Sequence, residues 1–401
     1  RADGSSQFGA NNRYGVFPAF AFKWKVLNEK FGQSLFGNLL SDLSVRANYG
    51  VLGSRDNLPS YGAVNRQFVF TNPTNGTVER ENVFLGNPDL RWETATTTGI
   101  GVDFASRNNR LSVTLDYYNT VRRDLLFFGP TPGGFAPVAN WFTNLDGEVI
   151  NNGFEAAINY DLVKKRNFTW GVSLNATTLN NEVWGLPSTV ITGGVSGQGL
   201  TGAFAQVFTN NRPLFTWFMP VFEGFDRDGN AIYANGAQNQ FVGSALPTFF
   251  AGLTNNFTYK RFNLSVFLNT VRGFYVYNNT ANALFLKGSL ANGRNVTRES
   301  GFSNENPFNP GSVSTRFLEK GDFIRLSNVN LNYNFNLANS KRIKTLSAFI
   351  SGQNLALITN YSGPDPEVNV DKGLNGVASR GFDYTQYPRP RIVTIGINMG
   401  F

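Results

Sequence analysis

The stretch Val393-Thr-Ile-Gly-Ile-Asn-Met-Gly-Phe401 decides the fold class. Successive side chains of a strand point to opposite faces. Val393, Ile395, Ile397, Met399 and Phe401 therefore share one face, and Thr394, Gly396, Asn398 and Gly400 share the other. A bulky apolar side opposed by a small, polar side suits a strand that separates hydrocarbon from a wet interior. The terminal aromatic falls where such a strand would reach the interfacial girdle.

The same period recurs upstream. Leu43, Val45, Ala47 and Tyr49 alternate with Ser44, Arg46, Asn48 and Gly50. Ile100, Val102 and Phe104 alternate with Gly101, Asp103 and Ala105. Leu111, Val113, Leu115 and Tyr117 alternate with Ser112, Thr114, Asp116 and Tyr118. Phe262, Leu264, Val266 and Leu268 alternate with Asn263, Ser265, Phe267 and Asn269, and Val329, Leu331, Tyr333 and Phe335 with a row of Asn. Segments 16–26, 154–160, 170–178, 214–222, 249–259 and 346–355 read alike. The chain thus predicts about a dozen antiparallel strands, each near the length that crosses a bilayer at a tilt. Their polar faces carry Asn, Ser, Thr and Gly rather than Lys and Glu, which favours a crowded lumen over the competing architecture, a soluble sandwich. Short connections (106–110, 162–167, 259–261) alternate with long ones rich in Gly, Asn, Pro and aromatics (53–90, 123–149, 182–212, 224–247, 275–322, 358–388). Periplasmic turns and extracellular loops of an outer-membrane barrel alternate in this way.

Composition narrows the function. The 401 residues include 38 Phe, 14 Tyr and 6 Trp. No run approaches the 18 or so apolar residues of a membrane helix. Mean hydropathy is −0.22, a value that hides a membrane strand because only alternate residues are apolar. The absence of Cys and His removes thiolate sites, the commonest metal ligand and Ser-His-Asp chemistry, so an enzyme is not expected. The net charge of +8 comes from basic residues scattered singly among acids, and no nucleic-acid partner is expected. Arg1-Ala-Asp-Gly-Ser-Ser reads as a loop, so the chain is expected to enter partway through a protein.

Few constellations suggest chemistry, and no cofactor is expected. Asp226, Asp228 and Asn230 place oxygen ligands at alternate positions around Gly229, a weak candidate metal loop; without a distal Glu or flanking helices it reads better as a polar turn. The pairs Asp365/Glu367 and Asp146/Glu148 sit beside Pro or Gly and read as turn formers. Trp141, Phe142, Trp217 and Tyr275 could stack on a sugar or a peptide, or belong to the interfacial girdle.

A family resemblance runs along the chain. Arg1-Ala-Asp-Gly-Ser-Ser-Gln-Phe-Gly9, Asn11-Asn-Arg-Tyr-Gly-Val-Phe-Pro18, Gly86-Asn-Pro-Asp-Leu-Arg-Trp-Glu-Thr94, Gly147-Glu-Val-Ile-Asn-Asn-Gly-Phe-Glu155, Phe323-Ile-Arg-Leu-Ser-Asn-Val329, Ser351-Gly-Gln-Asn-Leu355, Tyr361-Ser-Gly-Pro-Asp-Pro-Glu367 and Tyr387-Pro-Arg-Pro-Arg391 appear in order. Together they resemble the C-terminal part of the SusC/RagA family of TonB-dependent transporters of Bacteroidetes. The resemblance implies an all-β transmembrane barrel of about 22 strands closed by a plug, with residues 1–401 supplying about 12 C-terminal strands and the plug and early strands absent. It implies import of oligomeric glycans or peptides, a SusD-like lid lipoprotein, TonB acting through the N-terminal region, contact with outer-membrane lipid and pairing of two SusCD units. The closing strand, with Val393, Ile395, Ile397, Met399 and Phe401, is similar to the signal outer-membrane proteins present for barrel assembly. The alternative is a self-contained small barrel acting as a passive porin or structural protein.

Overall fold

The computed structural model describes residues 1–401 except 57, 61, 75, 131–139, 338–341 and 375. Eleven strands follow one another in one path: β1 (Ala19–Lys25), β2 (Leu40–Ser54), β3 (Glu93–Ser106), β4 (Leu111–Pro130), β5 (Asn140–Lys165), β6 (Phe168–Thr178), β7 (Phe249–Tyr259), β8 (Phe262–Arg272), β9 (Phe323–Asn334), β10 (Thr345–Thr359) and β11 (Ile392–Gly400). Each pairs antiparallel with the next, so sequence neighbours are spatial neighbours throughout. A twelfth strand, Asn180–Trp184, lies off the path and pairs with the Glu148–Asn152 part of β5, in effect continuing β6 after a break at Leu179.

The registers preserve the two faces read from the sequence. Lys23 lies opposite Arg46, Arg46 opposite Gly101, and Gly101 opposite Asp116. On the other side Phe20, Phe22, Ile100, Leu115, Phe154, Phe262, Ile350 and Ile395 are exposed large apolar residues. A sandwich would cover this side with a second sheet; instead it forms a continuous exposed apolar wall, as a lipid-facing barrel surface does. One polar residue on that wall is held internally: the Trp170 indole donates to Asn255 Oδ1 at 3.2 Å.

β1 and β11 each pair on one side only and do not pair with each other. The described strands therefore do not form a closed small cylinder.

Two expectations are corrected. Segment 214–222 alternates but is not a wall strand: Thr216–Pro220 and Phe222–Phe225 belong to small sheets beyond the end of the barrel. Alternation reports one buried side, and here that side faces a loop core instead of lipid. Segment 123–149 is not a loop over its described residues, and its tip, 131–139, lies outside them. β4 and β5 stay paired from Leu111↔Tyr160 to Pro130↔Asn140, with a bulge between Arg123 and Leu125. Strands of 20 and 26 residues far exceed what crosses a bilayer, so the hairpin projects beyond it.

The remaining long connections fold together. A four-stranded sheet (Val190–Gly194, Phe204–Phe208, Thr216–Pro220, Asn239–Ser244) and a three-stranded one (Leu318–Lys320, Tyr275–Asn278, Phe382–Asp383) draw on three separate connections. They share a core of Trp217, Met219, Tyr277, Phe317 and Phe382. A second core lies at the first long connection, where Phe8, Phe17, Leu58, Leu90 and Trp92 pack together. Phe8 and Phe17 approach the Trp92 ring with centroids 4.8 and 5.4 Å away.

Candidate functional site

The loop body opens into a cleft of about 740 Å³ between the connection that follows β8 and the one that follows β10. Its floor is built where Tyr275–Asn278 runs parallel to Phe382–Asp383, with Asn278 opposite Asp383. Asn278 then ends the strand and starts the helix Asn279–Leu284, its side-chain oxygen accepting from the Ala281 N–H at 2.9 Å. Such a cap satisfies an amide that the first helical turn leaves free. Asn279, fully buried, ties the helix to the neighbouring loop: it accepts from Ser196 N at 3.0 Å and donates to Ser196 O at 2.6 Å.

Asp383 is buried at the base of the cleft and has two donors, Tyr361 Oη at 2.6 Å and Thr280 Oγ1 at 3.2 Å. Burial, reinforced by the Asp383 hydrogen bond and charge, pushes the Tyr361 hydroxyl far above the ordinary tyrosine value, so it stays a donor. On the far wall Arg316 binds Glu305 through two contacts of 2.6 and 2.8 Å. Its guanidinium also lies 5.8, 5.0 and 4.9 Å from the ring centres of Phe222, Phe225 and Phe317. The Arg316 charge is thus paired within the protein, whereas Asp383 is held by hydroxyl donors and Glu299 adds a second carboxylate to the lining. Hydroxyls and amides of Thr280, Ser300, Ser303, Thr385 and Gln386 share the lining with apolar surface from Ala281, Phe285, Phe317 and Pro364. A lining of this kind suits a ligand that offers both hydrogen-bonding groups and apolar surface.

A second cluster fixes the loop body to the wall. Arg325 of β9 donates to Asp365 at 2.7 Å and pairs with Glu367 at 3.0 Å. It also donates to Asn354 of β10. Arg389 approaches Glu367 at 2.9 Å, and Asn354 donates to the Arg389 carbonyl at 3.0 Å. Four of the ordered sequence phrases thus meet at one buried point. The opening phrases converge likewise: Gly9 passes so close to residues 86–92 that a Cβ there would lie 1.8 Å from the Pro88 carbonyl oxygen.

The lumen side of β1–β4 carries a third cluster. Asp103 accepts from Lys23 at 3.1 Å, Arg46 at 2.9 Å and Thr114 at 3.1 Å, and Arg46 also pairs with Asp116 at 2.9 Å. Gly101 leaves the room for it, since a Cβ there would sit 2.1 Å from Asp116 Oδ1.

The stacking candidates separate. Trp217 is fully buried, its ring packed by Phe382 at 5.0 Å and Tyr277 at 5.8 Å, so it is a core residue that can neither stack on a ligand nor join a girdle. Tyr275 is half-buried and packs against the same core. Trp141 and Phe142 lie on the projecting hairpin, with Phe142 against Phe128 at 4.7 Å. They are not brought together with the cleft. Asp226 spends its carboxylate on its own turn, accepting from Asp228 N, Asn230 N and Asn230 Nδ2 at 2.7–3.0 Å. Among the described residues no group of three carboxylates could hold a metal ion. Asp365 and Glu367 serve the Arg325 cluster, and Glu148 binds Arg123 at 2.5 Å. Val393, Ile395, Ile397, Met399 and Phe401 are all exposed on the apolar face. The cleft residues Thr280, Arg316 and Asp383 were not legible, because they come from two separate connections with no shared spacing; a Gly-Phe-Asp run among turn residues gives no warning that Asp383 is buried.

Three comparisons bear on this arrangement. A family model described as TonB dependent receptor-like, beta-barrel matches residues 1–355. TonB-dependent receptor P3 of Formosa agariphila is 27% identical, with all of this chain aligned to 43% of that protein. TonB-dependent receptor SusC of Bacteroides thetaiotaomicron is 29% identical, with all of this chain aligned to 41% of it. The chain therefore spans about two fifths of the length of these curated relatives. The RagAB peptide importer in its closed-closed state shares the fold, with a TM-score of 0.81 at 22% identity over 100% of this chain and 45% of that one.

Proposed function

The chain belongs to the TonB-dependent receptor β-barrel family, and on that ground we propose that it forms the wall and outer loop body of an importer of oligomeric nutrients. As a member of that family it is an outer-membrane protein crossing the bilayer with strands. The observation that carries the proposal is the pair of unmatched edges. Along β1 and β11 one row of backbone N–H and C=O groups has no partner strand. Unpaired groups at membrane depth cost several kcal/mol each. These strands therefore need others to close the wall, as in barrels of about 22 strands with a plugged lumen. A self-contained small porin would require β1 to pair with β11, which the sheet does not do.

The loop body supports the oligomer reading. Three connections are folded over one end of the wall around a common core, leaving a cleft that offers hydroxyls and amides beside apolar surface. A glycan or a peptide backbone presents matching groups. The relatives named SusC and RagAB support a partnership with a SusD-like surface lipoprotein as lid, energy from TonB acting on the plug, and pairing of two such units. The acyl chains of the outer membrane complete the set of contacts. The family model and the curated relatives are described as receptors, which supports a transport role.

The test is uptake of labelled oligosaccharides and oligopeptides by cells carrying the intact protein. Import should require an energised TonB. Equal uptake without TonB would identify a passive pore and overturn the proposal.

A further inference from the structure

The connection between β1 and β2 differs from three of the others at its end of the wall. Three of its neighbours are wholly polar: Arg107-Asn-Asn-Arg110, Arg166-Asn167 and Lys260-Arg261. The β1–β2 connection instead reads Val26-Leu-Asn-Glu-Lys-Phe-Gly-Gln-Ser-Leu-Phe-Gly-Asn-Leu39 and contains a helix, α1 (Lys30–Phe36). Phe31 and Leu35, one turn apart, are 50% and 66% exposed, and Leu39 beyond the helix is 69% exposed. Water does not favour such a cluster on a solvated turn.

The position of α1 shows what should cover it. On β1, Phe20, Phe22 and Trp24 form the apolar face, while Lys23 points to the lumen cluster. The Trp24 ring packs on Phe31 with centroids 5.9 Å apart, so α1 is folded onto the apolar side of the wall. Gly32 lets it come close: a Cβ there would lie 2.0 Å from the Val26 carbonyl oxygen. The far end is pinned by Arg107, whose side chain donates to Gly37 O at 2.9 Å and whose N–H donates to Leu39 O at 2.9 Å. The exposed apolar side of the connection is thus rigidly placed and continuous with the lipid-facing stripe. Trp24 donates to Glu29 at 3.4 Å, leaving Lys30 of α1 as an exposed cation beside it.

We infer that α1 and the following Leu39 form an anchor lying in the membrane interface at the short-turn end of the barrel, with Phe31, Leu35 and Leu39 in the acyl–headgroup boundary and Lys30 toward lipid phosphates. Apolar side chains on an interfacial helix reach this depth while basic ones extend to the headgroups. The inference rests on the membrane placement of the wall and its orientation with long connections outward, not on import.

Spin labels at single cysteines test it in the intact protein, in nanodiscs of phosphatidylethanolamine and phosphatidylglycerol, with any cysteines outside this segment replaced. In the L35C protein oxygen should relax the label at least roughly threefold more effectively than a water-soluble nickel chelate, because oxygen concentrates in acyl chains. In the Q33C protein, labelled on the polar side of α1, the order should reverse. Nickel dominance at position 35 would place α1 in water and overturn the inference. Exclusion of both reagents there would show a protein surface covering α1 and overturn it equally. Heat-resistant migration of each labelled protein confirms that the barrel is folded, so neither outcome can arise from misfolding.

Discussion

The Arg325 guanidinium lies 2.7 Å from the Asp365 carboxylate, and the two side chains are 4% and 6% exposed. Asp365 belongs to a surface connection and Arg325 to a wall strand, so this contact decides how the loop body sits on the barrel. Arg325 is also the centre of the cluster, reaching Glu367 and Asn354. Removing one member of a buried pair leaves the other charged and desolvated, at a cost of about 3–5 kcal/mol. Arg325→Met should therefore lower the thermal midpoint of the purified protein and open residues 360–391 to proteolysis. A double change of Arg325 and Asp365 to apolar residues should recover part of the loss, since it leaves fewer unpaired buried charges.

The opening segment depends on a close approach of two backbones. A side chain at position 9 would meet the Pro88 carbonyl, which is held in place beside Leu90 and Trp92. Gly9→Ala should detach residues 1–9 from the 86–92 turn, detectable as faster hydrogen exchange in both. Trp92→Ala should cost about 3–5 kcal/mol by leaving a cavity among Phe8, Phe17 and Leu90. Unchanged exchange in both variants would mean that the two segments are held by something other than this core.

Trp217 separates two roles an aromatic can play. Its ring is sealed among Phe382 and Tyr277, and its indole N–H has no hydrogen-bond partner among the described residues. Trp217→Phe should therefore retain uptake and lose little more than packing, whereas Trp217→Ala should cost about 3–5 kcal/mol and disorder the loop core. A selective loss of substrate affinity in the Phe variant, with its thermal midpoint intact, would return Trp217 to the binding surface.

The wall was legible because period-two alternation and register say the same thing. Once Arg46 and Asp103 are assigned to the polar face, antiparallel pairing brings them together, and the sequence phrases locate the strands. Segment 214–222 misled because a strand packed on a folded loop core alternates as a lipid-facing strand does; only the neighbours of Trp217 and Met219 distinguish hydrocarbon from protein. The Arg325 cluster was half legible. Its four phrases stood out in order, yet nothing in their spacing said that 325, 354, 365 and 389 meet. The cleft was illegible for a stronger reason: Thr280, Arg316 and Asp383 are placed by the joint packing of three connections, and local sequence cannot encode which loops share a core.

The closing strand makes a prediction about assembly. Val393, Ile395, Ile397, Met399 and Phe401 present one exposed apolar row on a strand paired only with β10. If that row with the aromatic Phe401 is what the assembly machinery reads, replacing Phe401 by Ser should reduce folded protein in the outer membrane several-fold, with protein accumulating in the periplasm. Conservative replacement by Tyr should restore it. A Ser variant that assembles normally would remove Phe401 from that role.

The loop body should respond to acid through Glu305. Burial alone would raise this carboxyl, but the hydrogen bonds and charge of Arg316, with the Lys287 backbone amide, outweigh it and hold Glu305 below its ordinary value. A group whose folded value is depressed adds stability that is complete above its unfolded value and disappears as pH falls through the folded one. The Glu305–Arg316 contribution should therefore be constant from neutrality to roughly pH 5 and be lost below the ordinary carboxylate range. The Asp226 turn lies against the same segment, with Asn306 N donating to Gly229 O at 2.8 Å. Asp226 too is held low, by hydrogen bonds from Asn230, so acid should loosen both together. Proteolysis at residues 224–230 and 300–312, followed from pH 7 to pH 3, should report one shared acid transition. In Glu305→Gln the 300–312 segment should already be cleaved faster at pH 7, and only the smaller Asp226 component should remain on acidification. An unaltered acid transition in that variant would assign the response elsewhere.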